Sequence, residues 1–178
     1  YVPYIVENFL KDPRYMTIEN RPVLAMFGMN AFRNRAGSNA AVKEMFDYLE
    51  EVAKGLGFDG MLYIGTSETS KDVYEMGFDA AYIYSWSRDG YKLSVNKEGN
   101  LRNINRELGY FVPTVSVGFN DIGWNTERYP LITGEDYKLA NEWVRDTYLK
   151  TYPTEKWQEK FVMLSTWNEY GEGTYVMP

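Results

Sequence analysis

Five short apolar runs, each of strand length, recur along this chain with helix-spaced stretches between them, and that alternation limits its fold more than any other feature. The runs fall at residues 23–27, 60–64, 80–84, 111–117 and 161–166. They are continuously apolar rather than alternating, which fits strands buried on both faces, as in a parallel sheet crossed by helices. The clearest helix begins at Ser38 or Asn39 and runs through Lys54. Val42, Met45, Phe46, Leu49, Val52, Ala53 and Leu56 line one side of it, and Gly55 and Gly57 end it. Another opens on Thr133-x-x-Asp136, a capping-box-like start, with Leu139, Ala140, Trp143, Val144, Thr147 and Tyr148 on one side. Shorter helices are expected near 71–76 and 101–108. The stretch from Tyr1 to Met16 reads as the end of a helix or a loop, and the polar segments 87–100 and 118–133 read as long loops. Pro113 weakens the start of the fourth strand. This pattern alone leaves a doubly wound open sheet and a closed barrel both open.

The last run ends abruptly. Directly after Thr166 comes Trp167-Asn168-Glu169-Tyr170-Gly171-Glu172-Gly173. Core packing gives no reason for that composition at a strand exit. A carbohydrate site does, because paired carboxylates do acid and base work while flat rings meet sugar faces. If the strand stays extended through Glu169, residues 165, 167 and 169 share a face. Glu172 then joins them only if the chain bends back at Gly171.

The other runs end in compatible residues: Thr66, Ser67 and Glu68; Tyr84, Ser85 and Trp86; Asn120, Asp121 and Trp124. Each has a plain alternative. Trp86 and Trp124 are sugar contacts or packing rings, Asn168 orients Glu169 or caps a turn, and Glu172 is a catalytic acid or a solvated turn residue.

Composition removes several chemistries. The 178 residues contain no His and no Cys, so neither imidazole nor thiolate serves as base, nucleophile or metal ligand. Neither a metal site nor a cofactor is expected. The net charge is −6 with no basic run, which argues against a nucleic-acid partner. No apolar stretch approaches the roughly 18 residues of a membrane span. No Gly-rich phosphate loop follows the first run, which counts against a nucleotide fold. Catalysis falls to carboxylates, Tyr or Lys.

Trp167-Asn168-Glu169-Tyr170-Gly171-Glu172-Gly173-Thr174-Tyr175-Val176-x-Pro178 resembles the closing strand motif of glycoside hydrolase family 99-like domains, including the WbsX-like group. The endo-mannosidases of that family carry Trp-His where this chain has Tyr170-Gly171, which is closer to the WbsX-like pattern. Asp12-Pro13-x-Tyr15-Met16 followed by Arg21-Pro22-Val23-Leu24 resembles the middle of the same family. The resemblance implies a (β/α)8 TIM barrel of which residues 1–178 form one domain, covering roughly the last five β/α units and cut at both ends. The N-terminal barrel half would then be the missing partner, and the 23–27 strand would carry an open edge. It also implies a retaining, endo-acting glycoside hydrolase on a mannose-type or related oligo- or polysaccharide. There Glu169 works at the sugar's 2-hydroxyl and Glu172 is acid and base. Asn168, Trp167, Tyr170, Trp86, Tyr84, Asn120, Asp121 and Trp124 would meet the substrate, although Asp121 and Arg128 fit a structural ion pair equally well. A polysaccharide-degrading role favours a periplasmic or extracellular location. Two alternatives stand beside it: a glycosyltransferase of polysaccharide biosynthesis, against which no Asp-x-Asp motif is present, and a catalytically silent carbohydrate-binding domain.

Overall fold

The computed structural model describes residues 2–66, 71–104, 109–120, 123, 129–169 and 174–176. The fold is mixed α/β with parallel strand pairs, and the chain divides into two compact units, Tyr1–Ala81 and Tyr82–Pro178.

The first unit begins with α1 (Val2–Ile5), prolonged as a π-helical turn over Val6–Leu10. Then come β1 (Thr17–Ile18), β2 (Arg21–Met26), α2 (Met29–Ala36), α3 (Asn39–Gly55), β3 (Leu62–Thr66), α4 (Asp72–Glu75) and the start of β4 (Ala80–Tyr82). The strands lie in the order β1-β2-β3-β4. β2 and β3 are parallel, with Val23 opposite Leu62 and Met26 opposite Gly65. Ser38 caps α3 as expected, its hydroxyl accepting the Ala41 N–H at 3.1 Å. The buried side of α3 is Val42, Phe46, Leu49 and Ala53. Phe46 stacks on Tyr63 of β3 at 4.2 Å between ring centres, and Phe78 meets it edge-on at 4.9 Å. The Tyr63 hydroxyl donates to the Phe46 carbonyl, so the helix and strand are joined by contact and hydrogen bond together. Burying rings of this size contributes about 1.5–3 kcal/mol each. Gly65 makes the arrangement possible, since a β-carbon there would stand 3.1 Å from the Phe78 ring.

Three expectations change in this unit. Met45 and Leu56 are 45% and 40% exposed, so the packed side of α3 is narrower than its apolar stripe. The edge of β2 is not left open along its whole length. β1 returns antiparallel against it, Thr17 opposite Pro22 and Ile18 opposite Arg21, and the Tyr15 hydroxyl donates to the Val23 carbonyl. And α2 appears where no element is expected, bracketed by Gly28 and Gly37 at φ 74° and 99°, left-handed values that glycine adopts without strain.

The second unit holds a 3-10 turn (Ser87–Tyr91), α5 (Leu93–Ile104), β5 (Tyr110–Phe111), β6 (Thr114–Ser116) and α6 (Gly134–Trp143). α6 is prolonged as a π-helical turn (Val144–Tyr148) into α7 (Leu149–Thr151). After a further 3-10 turn (Lys156–Lys160) come β7 (Met163–Ser165), β8 (Asn168–Glu169) and β9 (Thr174–Tyr175). β6 and β7 are parallel, with Thr114 opposite Met163 and Ser116 opposite Ser165. Thr133 caps α6 through the Asp136 N–H at 3.1 Å. Ala140, Val144 and Tyr148, four residues apart, form the buried side. The first two pack with Val115, and the Tyr148 hydroxyl donates to the Phe111 carbonyl.

The fourth apolar run is not one strand but two, β5 and β6, broken at Val112-Pro113. Proline has no N–H to give a ladder, but its carbonyl accepts the Met163 N–H at 2.9 Å. The larger correction is α5, which begins at Leu93, inside a segment that reads as loop. Its polar residues are buried for a reason. Asn96 and Asn100, 1% and 0% exposed, turn their amides on the backbone of β6. Asn100 accepts the Thr114 N–H at 2.8 Å and donates to the Thr114 carbonyl at 2.9 Å. Asn96 accepts the Ser116 N–H at 2.8 Å and donates to the Ser116 carbonyl at 3.2 Å. β7 takes the opposite side of β6, so two side-chain amides do there the work of a neighbouring strand.

Candidate functional site

Parallel strands deliver their C-terminal ends to one edge of the sheet, and in the second unit β6 and β7 bring Ser116 and Ser165 level there. The Val117 N–H continues the pairing to the Ser165 carbonyl at 3.1 Å. The segment after β4 joins them: the Thr114 hydroxyl donates to the Ile83 carbonyl at 2.9 Å, and the Ser85 and Ser116 hydroxyls lie 3.4 Å apart. Ser116 Oγ also accepts the Gly118 N–H, which fixes the first turn beyond β6. The Ser165 hydroxyl is buried without a hydrogen-bond partner among the described residues. Three chain exits, after Tyr82, Ser116 and Ser165, therefore open at one edge.

The expected site residues fall differently around this edge. Trp167 is 63% exposed, directly beyond β7, and presents an open ring. Tyr84 and Asn120 are half-buried. Trp86 is a correction. It is 7% exposed, its indole N–H donates to the Thr114 carbonyl at 3.1 Å, and its ring lies against Gly99 of α5. A sugar-stacking ring needs a free face, and both the ring and the polar atom of Trp86 are committed to packing. Tyr170, Asp121, Trp124 and Glu172 lie outside the described residues, as do Ser67, Glu68 and Arg128.

The backbone after β7 corrects the extended reading. β7 stops at Ser165, and the Ser165–Thr166 peptide bond is cis. A separate two-residue strand, β8, then pairs antiparallel with β9, Asn168 opposite Tyr175 and Glu169 opposite Thr174. The Val176 N–H closes the base of this hairpin on the Thr166 carbonyl at 3.0 Å. Strict alternation from Ser165 to Glu169 therefore does not apply. β8 and β9 run antiparallel, and residues 170–173 between them, Gly171 and Glu172 included, lie outside the described residues.

Burial raises the hydroxyl pKa of Tyr82, with the neighbouring Tyr84 adding to it, so the Tyr82 phenol stays protonated at neutral pH. Among the described residues no three Asp or Glu side chains are grouped closely enough to hold a metal ion, and no helix is long and apolar enough to cross a membrane. Ser85 was among the expected strand-end residues, whereas Ser116, the Ser165 hydroxyl and the two buried asparagines were not. Ser85, Ser116 and Ser165 each stand at the end of an apolar run, which is the one sequence cue they offer.

The family described as glycosyltransferase WbsX matches residues 2–109. No curated protein sequence matches the chain. Among solved structures, the GH99 endo-alpha-mannosidase of Bacteroides thetaiotaomicron in complex with BIS-TRIS-propane is similar at a TM-score of 0.58 and 16% identity, covering 98% of this chain and 52% of that one. Another structure of a GH99 endo-alpha-mannosidase from the same organism gives 0.59 and 17%, over 98% and 50%. At such identities the likeness is one of fold, and the chain spans about half the length of those proteins.

Proposed function

The chain belongs to the WbsX glycosyltransferase family, and on that premise we propose that it is the later part of a (β/α)8 barrel whose complete protein cleaves glycosidic bonds in a mannose-type or related polysaccharide. The observation that carries this reading is the exit of β7. An exposed Trp167 is followed by a chain reversal between Glu169 and Thr174, and the connecting residues include Glu172. This supports a site of two carboxylates and an open aromatic ring at the strand ends, where β/α barrels keep their active sites. The hydrolase fold of the solved neighbours supports the same choice.

In this reading Glu172 protonates the departing glycosidic oxygen. Glu169 takes the proton of the sugar's 2-hydroxyl as that oxygen attacks the anomeric carbon. Glu172, now a carboxylate, then deprotonates the water that opens the intermediate, so the anomeric configuration is retained. Trp167, Tyr170, Asn168, Tyr84, Asn120, Asp121 and Trp124 hold the sugar, and Trp86 supports the edge from beneath. The remaining strands come from the rest of the barrel, so the 178-residue chain alone binds without turning over.

The description of the family as glycosyltransferases favours a second reading, transfer from a nucleotide sugar. The absence of an Asp-x-Asp motif weighs against it. Incubating the complete barrel protein with aryl α-mannosides and α-mannan, and separately with nucleotide sugars and an acceptor glycan, decides between them. Release of the aryl alcohol and of new reducing ends is expected. Transfer without hydrolysis would replace the hydrolase reading, and binding without either reaction would leave a lectin-like domain.

A further inference from the structure

The strand register of the second unit sets two apolar residues side by side in opposite surroundings. Val115 of β6 pairs with Leu164 of β7, so their side chains stand on the same side of the sheet. Val115 is 0% exposed, because Ala140 of α6 and Val144 of its π-helical prolongation close over it. Leu164, one strand away, is 44% exposed. Val162, two residues earlier and on that side too, is 37% exposed. Among the described residues, the helix layer that covers β6 therefore stops short of β7.

A groove of about 430 Å³ follows this gap. Its apolar lining includes Val144, Leu149 and Val162, and its charged lining is Lys138, Glu142 and Arg145. The charged residues succeed one another at spacings of four and three, so they form a ridge along one face of the helix. Arg145 directs its guanidinium to the Asp146 carboxylate. Lys138, exposed, and Glu142, half-buried, are the other two charges of the groove.

We propose that an amphipathic α-helix from the part of the barrel protein outside residues 1–178 lies in this groove, carrying an acidic residue against Lys138 and a basic one against Glu142. The proposal rests on the partial-barrel part of the reading above and not on its chemistry. Two further observations select this occupant. Val162 and Leu164 offer the face of the sheet, not its backbone edge, and a sheet face is covered by helices, as α6 covers β6. The solved neighbours extend over about twice the chain that matches here, so a protein of that fold has further elements to supply.

The chain has no cysteine, so a single introduced thiol reports on the groove through its rate of reaction with a maleimide. Leu164→Cys and Val162→Cys are made in the 178-residue chain and in the complete barrel protein freed of other thiols. Glu159→Cys, at an exposed turn, serves as the reference. In the 178-residue chain the three are expected to react at comparable rates. In the complete protein the Leu164→Cys and Val162→Cys thiols are expected to react roughly 100-fold more slowly than the reference, since access then requires local opening. Adding Lys138→Glu is expected to return much of that reactivity by setting a like charge against the occupant's acid, whereas Lys150→Glu, off the groove, is not. Protection indifferent to Lys138→Glu would overturn the charge pairing. Equal rates at Leu164→Cys and the reference in the complete protein would overturn the proposal. So would protection in the 178-residue chain that grows with its concentration, which marks a second copy as the occupant. An open groove in a complete protein that still releases reducing ends from α-mannan would remove this inference alone. A protected groove without cleavage would leave it standing while the hydrolase reading falls.

Discussion

The indole of Trp86 rests on Gly99 so closely that a β-carbon at position 99 would stand 2.8 Å from two of its ring carbons. Alanine in place of glycine inside a helix ordinarily gains about 1 kcal/mol. Here the added methyl must push a buried ring whose N–H is bonded to Thr114, and overpacking of that kind costs typically 1–3 kcal/mol. Gly99→Ala is therefore expected to lower the urea midpoint in spite of its better helix propensity. An unchanged or raised midpoint would mean that Trp86 has room to move.

Asn100→Leu keeps the approximate volume and removes both bonds to β6. The Thr114 N–H and carbonyl, 0% exposed as a residue, would lose their amide partner. Leaving buried backbone groups unsatisfied costs about 1–3 kcal/mol each. The Thr114 carbonyl keeps the Trp86 N–H, so the loss is expected nearer 2–3 kcal/mol than twice that. Chemical denaturation of Asn100→Leu beside Asn103→Leu checks it, because among the described residues Asn103 bonds within its own helix, to the Gly99 carbonyl, and its replacement should cost far less.

Alkaline pH should unfold the protein through its buried phenols. Burial pushes the Tyr74 hydroxyl up to about 12, and it also raises those of Tyr63 and Tyr110, Tyr63 further opposed by the charges of Glu50 and Asp79. An unfolded tyrosine ionises near 10. The folded state therefore holds these protons more tightly, and the stability that results is complete below pH ~10 and lost as pH rises through about 12. The urea midpoint is expected to fall steeply between those values, with tyrosinate absorbance appearing together with unfolding. In Tyr74→Phe the fall should be shallower. Free ionisation of all sixteen tyrosines near pH 10 with the fold intact would contradict it.

On the proposed reading, Glu169 and Glu172 should separate on an activated substrate. An aryl leaving group of low pKa departs without protonation, so Glu172→Gln in the complete barrel protein is expected to keep much of its first-step rate on such a glycoside. On mannan it should lose roughly 10²–10⁴-fold, the usual worth of a general acid. Glu169→Gln should be impaired on both substrates, since the anomeric carbon still needs its internal nucleophile. Equal impairment of the two variants on the aryl glycoside would reverse or dissolve the assignment of roles.

Much of the scaffold was readable wherever local chemistry decides it. Ser38 and Thr133 cap helices because a hydroxyl meets a free N–H three residues on, and Ala140, Val144 and Tyr148 carry their spacing openly. α5 was not readable, because what makes it a helix is a strand fourteen to twenty residues further along. Asn96, Gly99 and Asn100 look like loop residues until Thr114, Ser116 and Trp86 are there to receive them. At the candidate site, Trp86 and Trp167 have the same local appearance, a tryptophan just past an apolar run. One meets a glycine and is buried, the other meets solvent, and only the third dimension separates them.

The pairing of α5 with β6 works as a vernier. Four residues of helix advance about 6.0 Å and two residues of strand about 6.6 Å, so two successive rungs match and later ones drift apart. The next rung would set Ile104 across from Val112, and apolar residues stand there instead of amides. The match also depends on phase. Inserting one residue between Asn96 and Asn100 would turn one amide about 100° around the helix relative to the other, so both could not face the strand at once. Residues 96–100 and 114–116 thus form a stretch of fixed length, in which a change of count would do more harm than a change of side chain.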